Sequence, residues 1–247
     1  MKRTRKVLIL LMLMVFIAGL GVMLYPNLRG AVVDYEIRQE AVSFLEQVTE
    51  ETEISEDVDI PATEPVDTEP VLYPELLEAM RSYNEQIWEE KQMNLCDPWS
   101  YEQPSFTLGE YGLEDEVFGV ISIPRLELEL PIYLGATYQH MSDGAAHLTE
   151  TSLPIGGENT NCVIAGHRGW YGASYFRYIT ELEVGDEVII TNLWEELRYT
   201  VTETKIIAPN DVKEILIQEN RELLTRLTCH PYGSGGRQRY VVYCERT

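Results

Sequence analysis

The chain closes on residues 227–247, LTCHPYGSGGRQRYVVYCERT. Two short runs rich in β-branched and aromatic residues flank a cluster of proline, glycine and serine, the pattern of strand, turn and strand. Cys229 ends the first run and Arg239 opens the second. A cysteine placed there has two readings. It is a small buried residue, as free cysteine commonly is, or it is a nucleophile with a cation beside it. The rest of the chain must choose.

The same strand period runs back to Val117. VFGVISIP, LELELPIYLG, NCVIAGH, DEVIITN, LRYTVTETKIIAP and ELLTRLTC are short, and turn signals separate them at Gly135, Gly156-Gly157, Gly185-Asp186, Pro209-Asn210 and Gly233 to Gly236. Seven or eight such strands without long helices between them predict a mainly β fold, a barrel or a sandwich. No internal repeat is visible.

The N-terminal part reads differently. Lys2, Arg3, Arg5 and Lys6 precede Val7 to Leu24, eighteen residues without a charge. At roughly 1.5 Å per residue this run is long enough to span a bilayer. The cations would stay cytoplasmic, with the remainder outside. A cleaved signal peptide is the rival reading, but Tyr25-Pro26-Asn27 follows in place of a small-x-small site. Residues 1–30 are therefore expected to be a basic tail and signal anchor. Within 31–72, Val33 to Val48 has helical spacing, with Ile37, Ala41, Phe44, Leu45 and Val48 near one face. From Glu46 to Glu69 there are ten carboxylates and no lysine or arginine, so 31–72 is expected to be an acidic and largely disordered linker. Residues 73–110 begin with a helix over Pro74 to Gln92, with Leu77, Met80, Tyr83 or Asn84, and Ile87 or Trp88 on its apolar face. CDPWSYEQPSF follows, a structured loop or lid. The strand-rich part is expected over 111–247.

Composition excludes one class. A net charge of −22 repels phosphate backbones, so no nucleic acid partner is expected. Outside the cell the four cysteines, Cys96, Cys162, Cys229 and Cys244, meet an oxidising compartment. Their scattered spacing suggests no disulfide scaffold, so at least one thiol is free to react. No Cys-x-x-Cys or His-x-x-x-His spacing marks a zinc site, and no metal or cofactor is expected.

Four histidines compete to serve Cys229. His230 adjoins it, and neighbours on a strand point to opposite faces. His140 sits in a polar loop and is expected to be solvated. His147, in GAAHL, reads as a structural hydrogen-bonder. His167 ends an apolar strand before Arg168-Gly169, at a strand end where catalytic groups are often presented.

LPIGGENTNCVIAGHRGW, Leu227-Thr228-Cys229 and Arg239 in RQRYVVYCER together resemble the sortases, membrane-anchored cysteine transpeptidases of Gram-positive bacteria. The likeness runs in register from about Tyr111 to the C-terminus and includes ISIPRLELELPIYLGAT and GAAHLTETSLPIGGENTN. It implies a closed eight-stranded β-barrel with N-terminal helices behind a transmembrane helix. It also implies that Cys229 is the nucleophile, His167 its proton partner and Arg239 the oxyanion-stabilising cation. Arg237, two residues earlier, is the competing arginine.

CDPW adds detail. Class C sortases, which assemble pili, commonly carry an N-terminal lid with an Asp-Pro-aromatic motif, and Asp97 and Trp99 hold those positions here. The resemblance implies that Asp97 contacts Arg239 and Trp99 covers the thiol; without it the stretch reads as a helix-ending turn. TCHPYG is also similar to class C. Three features depart from that branch: the sequence stops at Thr247 where a second membrane segment is common, one extra residue separates Cys229 from its arginine, and RYVVYCER is similar to other branches.

The implied activity is cleavage of a Leu-Pro-x-Thr-Gly-like sorting signal through a Cys229 thioester. The acyl group then passes to an amine, a pilin lysine or a cell-wall peptide. The implied partners are surface or pilin proteins bearing that signal, and the membrane. Alternatives are a cysteine endopeptidase releasing products to water and a non-catalytic surface scaffold.

Overall fold

The computed structural model describes residues 2–56, 71–95, 103–104, 106–113, 116–170 and 172–247. Its centre is a closed barrel of eight strands: β1 (Val117–Ile123), β2 (Leu128–Leu134), β3 (Ala145–His147), β4 (Thr160–Ala165), β5 (Glu187–Asn192), β6 (Glu196–Ile207), β7 (Glu222–His230) and β8 (Gln238–Arg246). The order around the barrel is β1-β2-β3-β4-β7-β8-β6-β5. The β2–β3 and β4–β7 pairs are parallel and the rest antiparallel. The parallel β4–β7 pair matters most, because it brings the NCVIAGH and LTC segments side by side.

Seven of these strands follow the runs predicted from β-branched and aromatic periodicity. β3 was missed: Ala145-Ala146-His147 is too short for a period and has neither a β-branched nor a large apolar residue to signal it. It is a strand because β2 and β4 bond it from both sides.

Alternation along the strands divides the buried residues. Ile121, Ile132, Ile164, Val188, Leu224 and Val242 fill the inside of the barrel. On the outer side of β4, β7 and β8, Val163, Leu227 and Val241 pack under a cover that includes Ile215. One charge is hidden inside. Arg226 of β7 has no exposed surface, and its Nη2 donates to Cys244 Sγ at 3.4 Å.

One helix lies against the outside of β1 and β2, and a second joins the same apolar cluster. α1 (Lys2–Glu56) is one helix, with Pro26 within it. The helix read for Val33 to Val48 lies within α1, which runs on to Glu56 into the start of the acidic stretch. The stripe read for 33–48 explains why, since Ile37, Ala41 and Phe44 are buried against the barrel and the helix is held by packing despite its acidic end. Residues 57–70 lie outside the described residues. α2 (Pro74–Glu89) starts on the expected proline and buries Leu76, Met80, Asn84 and Ile87. Leu76, and not the expected Leu77, is its deepest leucine.

Candidate functional site

Cys229 lies near the end of β7, directly opposite Arg239 of β8. Cross-strand partners project to the same side of a sheet. That side also carries Leu227 and Val241, so the thiol and the guanidinium stand at the open end of an apolar outer face. Arg239 is 6% exposed, and its Nη1 donates to Gly236 O at 2.6 Å. Gly236 presses on both groups: a Cβ built on it would lie 3.0 Å from Arg239 Nη1 and 3.2 Å from Cys229 Sγ, at a φ of +79°. The bend of the Gly-rich loop therefore needs a residue without a side chain. β8 begins at Gln238, so Arg237 precedes the strand and is exposed. Arg237 therefore lies outside the ladder that sets Arg239 opposite Cys229.

His167 stands two residues past β4. Gly166 N donates to Leu227 O at 3.2 Å, and Thr228 Oγ1 donates to Gly166 O at 2.7 Å. These bonds extend the β4–β7 ladder and set His167 beside the level of Cys229. Its ring stacks on Trp170 with centroids 4.6 Å apart and meets Tyr175 edge-on at 5.9 Å. Its Nε2 is buried and has no hydrogen-bond partner among the described residues. The aromatic cage holds the ring, and no hydrogen bond joins it to the thiol.

Burial pushes the Cys229 thiol up, opposed by the charges of Arg239 and Arg168. Burial also holds His167 below the ordinary imidazole value. Both shifts favour the uncharged forms, so a thiol beside a neutral imidazole is the resting state at neutral pH.

The other histidines have different duties. His147 is fully buried, with Nε2 donating to Ser152 O at 3.0 Å and Thr151 O at 3.2 Å, and burial lowers it to about 4. His140 is not solvated as expected. It belongs to a short helix, α3 (Tyr138–Asp143), where it stacks on Tyr133 and its Nδ1 lies 2.7 Å from Gly135 O. His230 accepts from Arg168 Nη1 on Nδ1 at 2.7 Å, which leaves its proton on Nε2. Burial, then the Arg168 charge, hold His230 in the neutral form.

Arg168 is the residue that sequence reasoning missed. Beside His230 it also donates to Thr180 Oγ1 at 3.1 Å and stands 6.0 Å from the Tyr240 ring centroid. It is a second cation acting on Cys229. The signal was present in the sequence as an arginine following the candidate histidine, but only the β4–β7 pairing brings its charge near enough to act on the thiol. Asp97 and Trp99, expected as a lid, and Cys96 beside them, lie outside the described residues.

The family model described as the Sortase domain matches residues 121–247. Sortase D of Bacillus subtilis strain 168 is 32% identical over 130 residues, which span 52% of this chain and 63% of that protein. Among solved structures, the Type III crystal structure of Streptococcus agalactiae sortase C1 is similar with a TM-score of 0.68 and 28% identity, covering 85% of this chain and 97% of that one. A pilus-related sortase C of Group B Streptococcus is similar with a TM-score of 0.62 and 30% identity, covering 69% of this chain and 87% of that one. The family model covers more than half of the chain, and this chain belongs to the sortase family.

Proposed function

We propose that the chain is a membrane-anchored cysteine transpeptidase of the pilin-assembling branch, with α1 as its single span and the barrel outside the cell. The observation that carries this reading is the Cys229–Arg239 pair facing one way beside Gly236, with the His167 loop tied to β7 next to it. The Cys229 thiolate attacks the threonine carbonyl carbon of a Leu-Pro-x-Thr-Gly-like signal. Arg239 faces the oxyanion that forms. His167 protonates the departing glycine amine as the C–N bond breaks, leaving a thioester. An amine from a pilin lysine or a cell-wall peptide then attacks, the thiolate leaves, and the acceptor's proton passes to His167. Asp97 and Trp99 are assigned as a lid over this site, a reading supported by the likeness to class C sortases.

The test incubates the folded protein with a sorting-signal peptide, with and without an added amine, and follows the products by mass spectrometry. An acyl-enzyme on Cys229 and an amine-dependent product are expected. Hydrolysis indifferent to the amine would make it an endopeptidase, and no acyl-enzyme would make it a scaffold. Doubly substituted Asp97→Ala, Trp99→Ala protein tests the lid: a faster reaction of Cys229 with a small thiol reagent is expected, and an unchanged rate would remove the assignment.

A further inference from the structure

The apolar run of α1 ends at Leu24, but the helix continues without a break. Its next turns touch the loop that carries His167. A Cβ on Gly172 would lie 2.5 Å from Pro26 O, and one on Gly30 would lie 2.3 Å from Gly172 O. Backbone meets backbone there, which only glycine permits. One turn on, the Asp34 carboxylate accepts from Ser174 N at 2.7 Å and Ser174 Oγ at 3.1 Å. The loop is thus fastened to the helix from Pro26 to Asp34.

That fastening sets a distance. At about 1.5 Å of rise per residue, Pro26 stands roughly 3 Å and Gly30 roughly 9 Å past Leu24 along the axis. The headgroup layer on each side of a bilayer is roughly 5 to 8 Å deep. If Val7 to Leu24 fills the hydrocarbon, the loop meets the helix within or at the edge of that layer, and tilt brings it closer.

The same rim carries side chains suited to that depth. The Arg177 guanidinium lies 4.9 Å from the Tyr232 ring centroid and 5.7 Å from that of Tyr178. Both tyrosines are solvent-facing, 55% and 46% exposed respectively. Tyr232 reaches this cluster from the β7–β8 loop, and its ring would lie 3.1 Å from a Cβ on Gly169, two residues past His167. Tyrosine is enriched where one end of a side chain is apolar and the other wet, and arginine reaches lipid phosphate over an apolar stem. A chain of net charge −22 gains nothing from an anionic surface as a whole, so contact must be made by a local patch such as this one.

We propose that Arg177, Tyr178 and Tyr232 form a lipid-docking rim that seats the candidate active site on the headgroup surface of the membrane holding α1. The inference rests on the reading of α1 as a membrane span. Cys229 then opens at the membrane surface, where a substrate held by that membrane presents its cleavage point.

The test uses the full chain with Cys229→Ala and Cys96→Ser, reconstituted into vesicles of phosphatidylethanolamine and phosphatidylglycerol. A fluorophore is attached at Tyr178→Cys, at Tyr232→Cys or at Glu219→Cys; Glu219 is exposed before β7, at the opposite end of that strand from Cys229. Quenching by headgroup spin-labelled lipid is compared with alkaline extraction. Retention in the membrane with several-fold stronger quenching at 178 and 232 than at 219 is the expected result. Retention with equal quenching at all three positions overturns the docking rim and leaves the anchor standing. Release of the chain by alkali overturns the anchor, and the rim with it.

Discussion

Cys229 and Arg239 are cross-strand partners in the β7–β8 hairpin, one at the end of its strand and the other at the start of the next. Neither loop flexibility nor a rotamer choice brings them together; the ladder does. Arg237, two residues away in sequence, lies before that ladder and faces water. Arg239→Ala should therefore reduce peptide cleavage by about a hundredfold or more, the scale of losing an oxyanion donor, while Arg237→Ala changes it little. Steady-state rates on folded variants decide, and Cys229→Ala should form no acyl-enzyme. A dead Arg237 variant beside a live Arg239 variant would reverse the assignment.

The opposed shifts of Cys229 and His167 predict two different pH profiles. Alkylation needs only the thiolate, so its rate should climb through neutral pH toward the raised thiol value. Transpeptidation needs thiolate and imidazolium together. Between the lowered His167 value and the raised Cys229 value, thiolate grows with pH as imidazolium shrinks, so activity should be flat there and fall on both sides. Arg168→Gln removes one of the two cations opposing the rise of the thiol, so it should move the alkylation profile to higher pH, and Arg168→Lys should restore it. Parallel alkylation and activity curves would show that the pair does not rest uncharged.

The Gly-rich loop supplies a steric test. Gly236→Ala puts a methyl against both Cys229 Sγ and Arg239 Nη1 at positive φ. Gly235 has a similar φ of +69°, but a Cβ there meets nothing within 4 Å. Each substitution carries a comparable backbone cost, about 1 kcal/mol. Only Gly236→Ala should also lose most activity and slow thiol labelling, and equal activity of the two variants would mean that the close approach is unimportant.

His147 is a stability switch remote from the chemistry. Its value falls from the usual 6.5 to about 4 because the folded state buries it. Between those values the unfolded chain binds a proton that the folded chain refuses, so stability rises with pH across this window and is lost as pH falls through it. The effect is about 3 kcal/mol from pH 7 to pH 4. Chemical denaturation at several pH values should show the slope, and His147→Gln should flatten it. A slope unchanged in that variant would assign the acid sensitivity elsewhere.

Period-two runs of Val, Ile, Thr and Tyr, cut by glycine turns, were sufficient to place seven strands of the barrel, because their signal is local. The α1 stripe of Ile37, Ala41 and Phe44 was legible too, yet the acidic composition around it pointed to a linker. Composition reports what a segment costs to order, and packing against β1 and β2 decides whether that cost is met. Cys229, His167 and Arg239 could be named from strand ends and family spacing. That the ladder sets Arg239 directly opposite Cys229, that Arg168 adds a second charge, and that Gly236 closes on both groups came only from tertiary structure. These facts depend on which residues stand opposite across β4, β7 and β8. Register couples residues far apart in the chain, and no local pattern encodes it.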